Sequence, residues 1–565
     1  MAHLHYLHIE NFRGIENFSN TFGSENYCVL IGRGDSGKST ILKAISYLLN
    51  PSWNLNITDF DFHNMDVQKS ILIEGVFTDI PDEIGSFEKF GQYVQVIDVN
   101  GIVSPNIEEV DGIPCIKICL TVDDSLEPKW NVVSDREIGN KEISSKDREK
   151  FKMFSVSDYI DSQFSLSKGS PLSRLLASSS KQSIQSLRKI FAELSREAYQ
   201  IVSQTDKLDK LKDHVSILKS KANTFGLRLE DLVALIEFSG SSYSESNISI
   251  HHNNIPARLL GKGSKRLLSI AIQMELIAEG GIVLIDEVEQ GLESDRIRHL
   301  VKHLFRTSKG QVFLTTHSND VLVEAKCNQV FLMKKDAKTL RPFDTSKQGI
   351  LRKHPKAFYG LRVVSCEGAT EEGLVRALGD YLRAHTDLGI EGRDVVTIDA
   401  GGGNEFYKMA VSFSECGFDA VVFCDSDKEA ELSNDKNAVI ANHIPIIQCE
   451  MGLALEQQIF NHIPWDGVLE LLQWAEENND KSIFPILGTQ LSSVNEVAKL
   501  PDEDREEARK KIGAAAKSKQ AWYKNINGGE VLGEVIMRCF DVMIDENPLK
   551  KEISELLKWI EQNEY

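Results

Sequence analysis

No apolar run in this 565-residue chain approaches the length of a membrane-spanning helix. The stretch Met1 to Asn11 carries His and Glu where a secretory leader needs an apolar core, so a cytoplasmic protein with no membrane partner is expected. Nine cysteines are an odd number and include no CxxC pair, which argues against a disulfide framework or a zinc ribbon and for buried thiols. Positive charge is also short, with 64 Lys+Arg against 84 Asp+Glu and a formal charge of −20. Bulk charge therefore cannot hold nucleic acid or an anionic membrane, and any such contact has to be local or bridged by cations, weak and salt-sensitive. Internal repeats and long low-complexity tracts are absent. What is present is 41% hydrophobic and 26% charged sequence, enough for more than one core and for at least two globular units.

Residues 1–154 alternate short apolar runs (Tyr27 to Ile31, Ile71 to Phe77, Tyr93 to Val99, Ile116 to Val122) with turns rich in Asn, Gly, Pro and Asp, the pattern of an α/β unit with extra strands. Over 155–237 the period changes to three and four: Ile184, Leu187, Phe191, Leu194, Ala198 and Ile201, then Leu208, Leu211, Val215 and Leu218 after a phase slip. This is a helical insert of two amphipathic helices, read either as ordinary packing or as a dimerisation or DNA-facing element. The α/β unit resumes over 238–335. The polar, basic stretch 336–358 suits a linker. From 359 to 565 three apolar runs, Leu361 to Cys366, Ala420 to Cys424 and Ile444 to Cys449, look like buried strands of a parallel sheet, followed from Pro501 by a charged helical extension.

Gly32-Arg33-Gly34-Asp35-Ser36-Gly37-Lys38-Ser39-Thr40 lies between the strand Tyr27 to Ile31 and the helical run Ile41 to Leu49. Glycines let backbone N–H groups curl around phosphates, Lys38 brings a point charge to the β and γ oxygens, Ser39 ligates magnesium, and the helix start adds its dipole. Ile282 to Ile285 then deliver Asp286, a second magnesium ligand, and Glu287, which would polarise the attacking water. Thr315-Thr316-His317-Ser318 follows the strand Val312 to Leu314 and places His317 as a γ-phosphate sensor. Gly261 to Arg266, with Gly263 and Ser264, opens another helix whose free N–H groups fit an anion; in a dimer it would cap the ATP of the other subunit. The expected cofactors are ATP and Mg2+.

In the second half each apolar run ends in Cys followed by an acid: Cys366-Glu367, Cys424-Asp425 and Cys449-Glu450. Strand C-termini of a parallel sheet gather at one edge, so these acids converge. Glu371 sits one helical turn beyond Glu367, and Asp427 two residues beyond Asp425. Clustered carboxylates repel unless cations sit among them, and hard oxygen donors favour Mg2+ or Mn2+. Two ions in such a site can activate water against a phosphodiester.

The order of motifs resembles the ABC-type ATPase heads of the SMC, Rad50 and RecF group, with Ile9-Glu10-Asn11-Phe12-Arg13-Gly14 matching the first strand and turn and Arg13 reaching the nucleotide by analogy. Gly34, where an Asn is common, the loose Gly261 to Lys265 signature and Gln290-Gly291 depart from that group and weigh against fast turnover. Glu-Gly-x-x-Glu followed by Asp-x-Asp resembles the Toprim domain. Together, an α/β ABC-type head with a P-loop and helical insert, then a Rossmann-like parallel-sheet Toprim domain, is similar to the OLD family of nucleases, to which Gabija-type and retron-associated phage-defence effectors belong. The resemblance implies a metal-dependent DNA endonuclease regulated by ATP. Glu367, Glu371, Asp425 and Asp427 would be metal ligands, Glu456 a further acid, and Lys524 the cation on the scissile phosphate, with Glu367, Asp425, Lys524 and Glu287 the catalytic set. Glu450 competes with Glu456, and Lys519 with Lys524. Implied partners are DNA, a homodimer or larger assembly, and a retron reverse transcriptase with its RNA–DNA hybrid or another defence protein; general similarity leans to the retron-associated type. The other reading is a recombination or repair clamp that closes on DNA with ATP, its Toprim-like half a non-cleaving scaffold. No tyrosine nucleophile stands in a recognisable context, which counts against a topoisomerase.

Overall fold

The computed structural model describes residues 2–105, 111–136, 138–156, 161–165, 170–179, 209–227, 229–236, 248–278, 280–307, 310–334, 338–340, 342–427, 433–479, 483–484, 492–517 and 522–562. The chain divides into two compact units, Met1–Arg352 and Lys353–Tyr565. Among the described residues no helix is long and apolar enough to cross a membrane.

In the first unit, β1 (His3–Phe12), β2 (Ile15–Thr21), β4 (Ile71–Thr78), β5 (Gln95–Ile97), β6 (Val103–Ser104) and β7 (Ile113–Val122) form an antiparallel sheet in the order β2-β1-β4-β7-β5-β6, and β8 (Pro128–Val133) and β9 (Lys141–Glu142) extend it from β7. A parallel sheet runs β10-β14-β15-β3-β16, built from β3 (Tyr27–Ile31), β10 (Met153–Val156), β14 (Ile282–Ile285), β15 (Gln311–Thr315) and β16 (Val330–Leu332). Every residue of β3, β14 and β15 is buried. Such strands lie under cover on both faces, which is why they read as unbroken apolar runs, and each large side chain so buried contributes about 1.5–3 kcal/mol relative to exposure. One apolar core joins the two sheets, with Phe22 set edge-on to both Phe313 and Phe331. Gln311 ties them as well: its carbonyl accepts from Leu4 N at 2.8 Å and its amide donates to Leu4 O at 3.0 Å.

β10 straddles the position where the sequence sets off a helical insert, and it pairs in parallel with β14. Leu211, Val215 and Leu218 lie buried on the helix Asp209–Thr224. The positions Ile184 to Ile201 and Leu208 fall outside the described residues. A small antiparallel sheet of β11 (Val233–Ile236), β12 (Ile248–His252) and β13 (Ile255–Pro256) follows. The basic stretch read as a linker carries the short helix Gln348–Lys353 and a 3-10 turn, Pro355–Tyr359.

The second unit is built on β17 (Arg362–Cys366), β18 (Val395–Asp399), β19 (Asp419–Cys424) and β20 (Ile446–Gln448), all parallel, in the order β18-β17-β19-β20. Three of these strands coincide with the apolar runs of the sequence; β18 is additional. Because the chain steps to one side of β17 for β18 and to the other for β19, the strand order reverses between β17 and β19, the place where such sheets open a crevice at their carboxyl ends. The helix Ala369–Thr386 packs closely on Ile526–Cys539. A side chain at Gly373 would meet the Ile526 carbonyl and one at Gly529 the Thr370 carbonyl, so glycine is what permits the approach. The loop ahead of the second helix, with Tyr523 and Lys524, is thereby held against the turn that carries Thr370 and Glu371; Thr370 Oγ1 donates to Tyr523 O at 3.1 Å.

Candidate functional site

The phosphate loop joins β3 to the helix Lys38–Leu48. Gly32 and Gly37 have φ of 144° and 97°, and a side chain at either would collide with Met333, so these turns need glycine. Asp35 also sits at positive φ, while Gly34 is at the exposed crest of the loop. Lys38 is buried and turns back into the loop, donating to Gly32 O at 2.9 Å, Arg33 O at 2.7 Å and Ser36 Oγ at 3.4 Å. Burial lowers its pKa, against the pull of Asp286 and Asp35. Ser39 and Thr40 fall in the helix's first turn, and Ser39 Oγ donates to Asp286 Oδ1 at 3.0 Å.

Asp286 follows β14 and also accepts from Thr315 Oγ1 at 2.6 Å. The next residue, Glu287, takes φ +50°, a region L-residues seldom occupy, and its N–H donates to Thr315 Oγ1 at 2.8 Å. Burial, then the nearby Lys38, lowers the pKa of His317, with Glu289, Glu287 and Asp286 acting the other way; its imidazole therefore stands in the field of the loop lysine. Gly263 and Ser264 lie in the first turn of the helix Lys262–Leu276, and a side chain at Gly263 would meet Gly291 O. Arg13 is engaged elsewhere in this structure, with its Nε on Asp61 Oδ1 at 2.8 Å.

The second constellation forms at the carboxyl edge of the second unit's sheet. Glu367 follows β17 and its Oε2 accepts from Asp425 N, at the end of β19, at 3.2 Å. Asp425 Oδ1 accepts from Leu455 N at 2.7 Å, which fixes it at the start of the helix Leu455–His462. Glu371, in the first turn of the helix Ala369–Thr386, is buried and folds back to accept from Gly368 N at 2.9 Å. Burial, then Asp425, Glu456 and Glu367, pushes its pKa well up. Burial with Glu456 and Glu367 pushes Asp425 to about 8. Glu456 is buried and raised too, with Lys524 and Lys517 opposing. The structure thus brings Glu367, Glu371, Asp425 and Glu456 within mutual electrostatic reach, with Asp427 at the same edge. Glu450 pairs with His462 at 2.5 Å. Lys524 acts on Glu456, whereas Lys519 lies outside the described residues.

Four polar groups near these two sites were not read from the sequence. Asp399 ends β18 opposite Cys366 and opens the loop Gly401, Gly402 and Gly403, all at positive φ; the signal was the run Val395 to Ile398 before a glycine triplet. Lys517, on the helix Asp502–Lys517, pairs with Asp427 at 2.8 Å. Glu289 accepts from Thr316 Oγ1 at 2.8 Å and from His317 N at 2.5 Å. Glu552, on the helix Pro548–Glu561, is buried behind the acidic edge, bonded by the Gln458 amide, and burial pushes it to about 8.

Among the described residues no group of three or more His, Cys, Asp or Glu side chains is arranged so that it could hold a metal ion. The chemistry of the donors nonetheless fits a hard divalent ion: carboxylate oxygens only, two of them on buried side chains held at one edge with more negative than positive charge around them.

Residues 28–324 match the model of the family AAA_21, described as "AAA domain, putative AbiEii toxin, Type IV TA system". The match spans just over half of the chain. The chain belongs to the AAA_21 family. Its first unit is accordingly an ATP-binding ATPase domain, and nucleotide binding, typically with Mg2+, comes with that assignment. Comparison with curated proteins returns no match. Among solved structures, the Smc head domain of Pyrococcus furiosus bound to the C-terminal domain of ScpA is 13% identical over 63% of this chain and 100% of that chain, with a TM-score of 0.38. The recombination mediator RecF with ATP is 14% identical over 61% and 98%, at 0.37, and the SMC head domain of Thermotoga maritima 13% over 60% and 99%, at 0.28.

Proposed function

We propose that the second unit is a metal-dependent DNA endonuclease of the Toprim type and that the ATPase domain of the first unit regulates it. The observation that carries this reading is the meeting of Glu367, Glu371, Asp425 and Glu456 at the point where the sheet's strand order reverses. Glu367, Glu371, Asp425, Asp427 and Glu456 would hold one or two Mg2+ or Mn2+ ions. A bound ion there supplies positive charge to the phosphodiester and makes a water acidic enough to attack. The chain's own groups do the rest. Glu367 and Asp425 are each held by a backbone N–H group. Lys524, beside Glu456, and Lys517, paired to Asp427, bring cations to the edge where a phosphate's charge grows. DNA as substrate, a homodimer, and an antiviral setting with a reverse transcriptase or another defence protein rest on the resemblance in motif order.

A second reading, a DNA-associated ATPase whose acidic half is a scaffold, is favoured by the open arrangement of the acids and by the Lys517–Asp427 pair, which already neutralises one of them. Incubating the purified full chain with supercoiled, linear and single-stranded DNA, with and without Mg2+, Mn2+ and ATP, separates the two. Ion-dependent cleavage that disappears in the Asp425→Ala, Asp427→Ala double variant supports the nuclease; no cleavage under any condition supports the scaffold.

A further inference from the structure

The far wall of the nucleotide site is wired by two consecutive threonines. β14 and β15 run in parallel with Ile285 opposite Leu314, so the turns that follow them leave the sheet side by side. Thr315 bonds Asp286 and Glu287, as above. Thr316 serves the other turn: its hydroxyl donates to Glu289 Oε2 at 2.8 Å and accepts from Ser318 N at 2.9 Å. The remaining oxygen of Glu289 accepts from His317 N at 2.5 Å. A single carboxylate therefore holds both the residue before His317 and His317 itself. Ser318 caps the helix Asn319–Glu324 through Asp320 N at 3.2 Å, and Asp320 pairs with Arg298 at 2.6 Å on the helix Ser294–Thr307.

A carboxylate is a costly choice for this tether. Glu289 stands two residues from Glu287 and three from Asp286 and adds like charge to a turn that already has two acids. An amide side chain would avoid that repulsion but would offer one acceptor oxygen to the two donors. What the carboxylate adds is strength, since bonds from a hydroxyl and an amide to an ionised acceptor are roughly twice as strong as neutral ones.

We infer that Glu289 is a positioning residue for ATP hydrolysis: it locks the Thr316–His317 backbone to the Asp286–Glu287 turn so that the His317 ring meets the γ-phosphate in register with Glu287. This rests on the ATPase assignment. Glu289 acts on the chemical step through His317 and leaves nucleotide affinity to the phosphate loop.

The test is a steady-state measurement of ATP hydrolysis by the full chain with Mg2+, comparing the unmodified protein with Glu289→Ala, Glu289→Gln, Thr316→Val, the Glu289→Ala, Thr316→Val double variant and Lys38→Ala. Glu289→Ala is expected to lower kcat about 10- to 100-fold while KM stays within about twofold, as loss of a group that orients a reacting residue does. Glu289→Gln, which keeps one acceptor, falls between. The double variant is expected to be no slower than Glu289→Ala, because the two side chains act as one unit. Full kcat in Glu289→Ala, or losses that add in the double variant, overturns the role. If Glu289→Ala does not fold, full kcat in both Glu289→Gln and Thr316→Val overturns it. Hydrolysis abolished by Lys38→Ala yet untouched by every Glu289 variant removes only this role; no hydrolysis by the unmodified protein removes the ATPase assignment and the role together.

Discussion

Two acidic turns at sheet edges, one in each unit, are handled in opposite ways. Around Asp286 and Glu287 the chain supplies its own answer to negative charge: the Ser39 and Thr315 hydroxyls donate to Asp286, and Lys38 stands close by. Around Asp425 the nearest charges are other acids, and burial plus repulsion forces carboxyl groups upward in pKa. The first site meets its acids with hydroxyl donors and a nearby lysine. The second is short of positive charge, and a cation would relieve it.

That contrast is open to attack from both sides. Replacing Asp425 and Asp427 together by Ala is expected to abolish DNA cleavage, read on supercoiled substrate, while ATP binding stays intact; retained cleavage would place the chemistry elsewhere. Glu287→Gln is expected to leave ATP binding unchanged and slow hydrolysis about 100-fold, within the usual range for a general base. Unchanged hydrolysis would remove Glu287 from that role. Lys38→Ala should weaken ATP binding about 10- to 100-fold, the worth of a charge-assisted hydrogen bond, without altering divalent-ion binding by the second unit. Equal loss of both would mean that the two sites are not separate.

The smallest effect concerns Glu552. Its ordinary value is 4.5 and burial raises it to about 8, so the folded state keeps the proton that the unfolded state releases between those values. Stability from this group is full below about pH 4.5 and is lost as pH rises towards about 8. Glu552→Gln, which cannot ionise, should flatten that decline, read as Tm against pH. The same slope in both proteins would show that Glu552 does not carry it.

How legible each region was follows from how locally it is encoded. The phosphate loop is one contiguous string in which Gly32 and Gly37 are required by the backbone, and β17 and β19 declare themselves as buried runs, with β20 inside the apolar run Ile444 to Cys449. β18 was missed because it mixes Thr397 and a closing Asp399 into a short strand with half-exposed positions. Glu450 and Glu456 follow the same strand and lie six residues apart, and nothing local separates them; in the fold Glu450 pairs with His462 while Glu456 is buried in the first turn of its helix. Lys517 and Glu289 act through partners distant in sequence, Asp427 and the Thr316–His317 turn, so their positions depend on tertiary packing and strand register.

Manganese binding by the full chain without nucleotide, followed by the loss of the free-ion paramagnetic resonance signal, probes the acidic edge itself. Saturable binding in the unmodified protein and in Lys38→Ala, lost in the Asp425→Ala, Asp427→Ala variant, is the result expected of a cation site built from these carboxylates. Equal binding in that variant, or none in the unmodified protein, would contradict it.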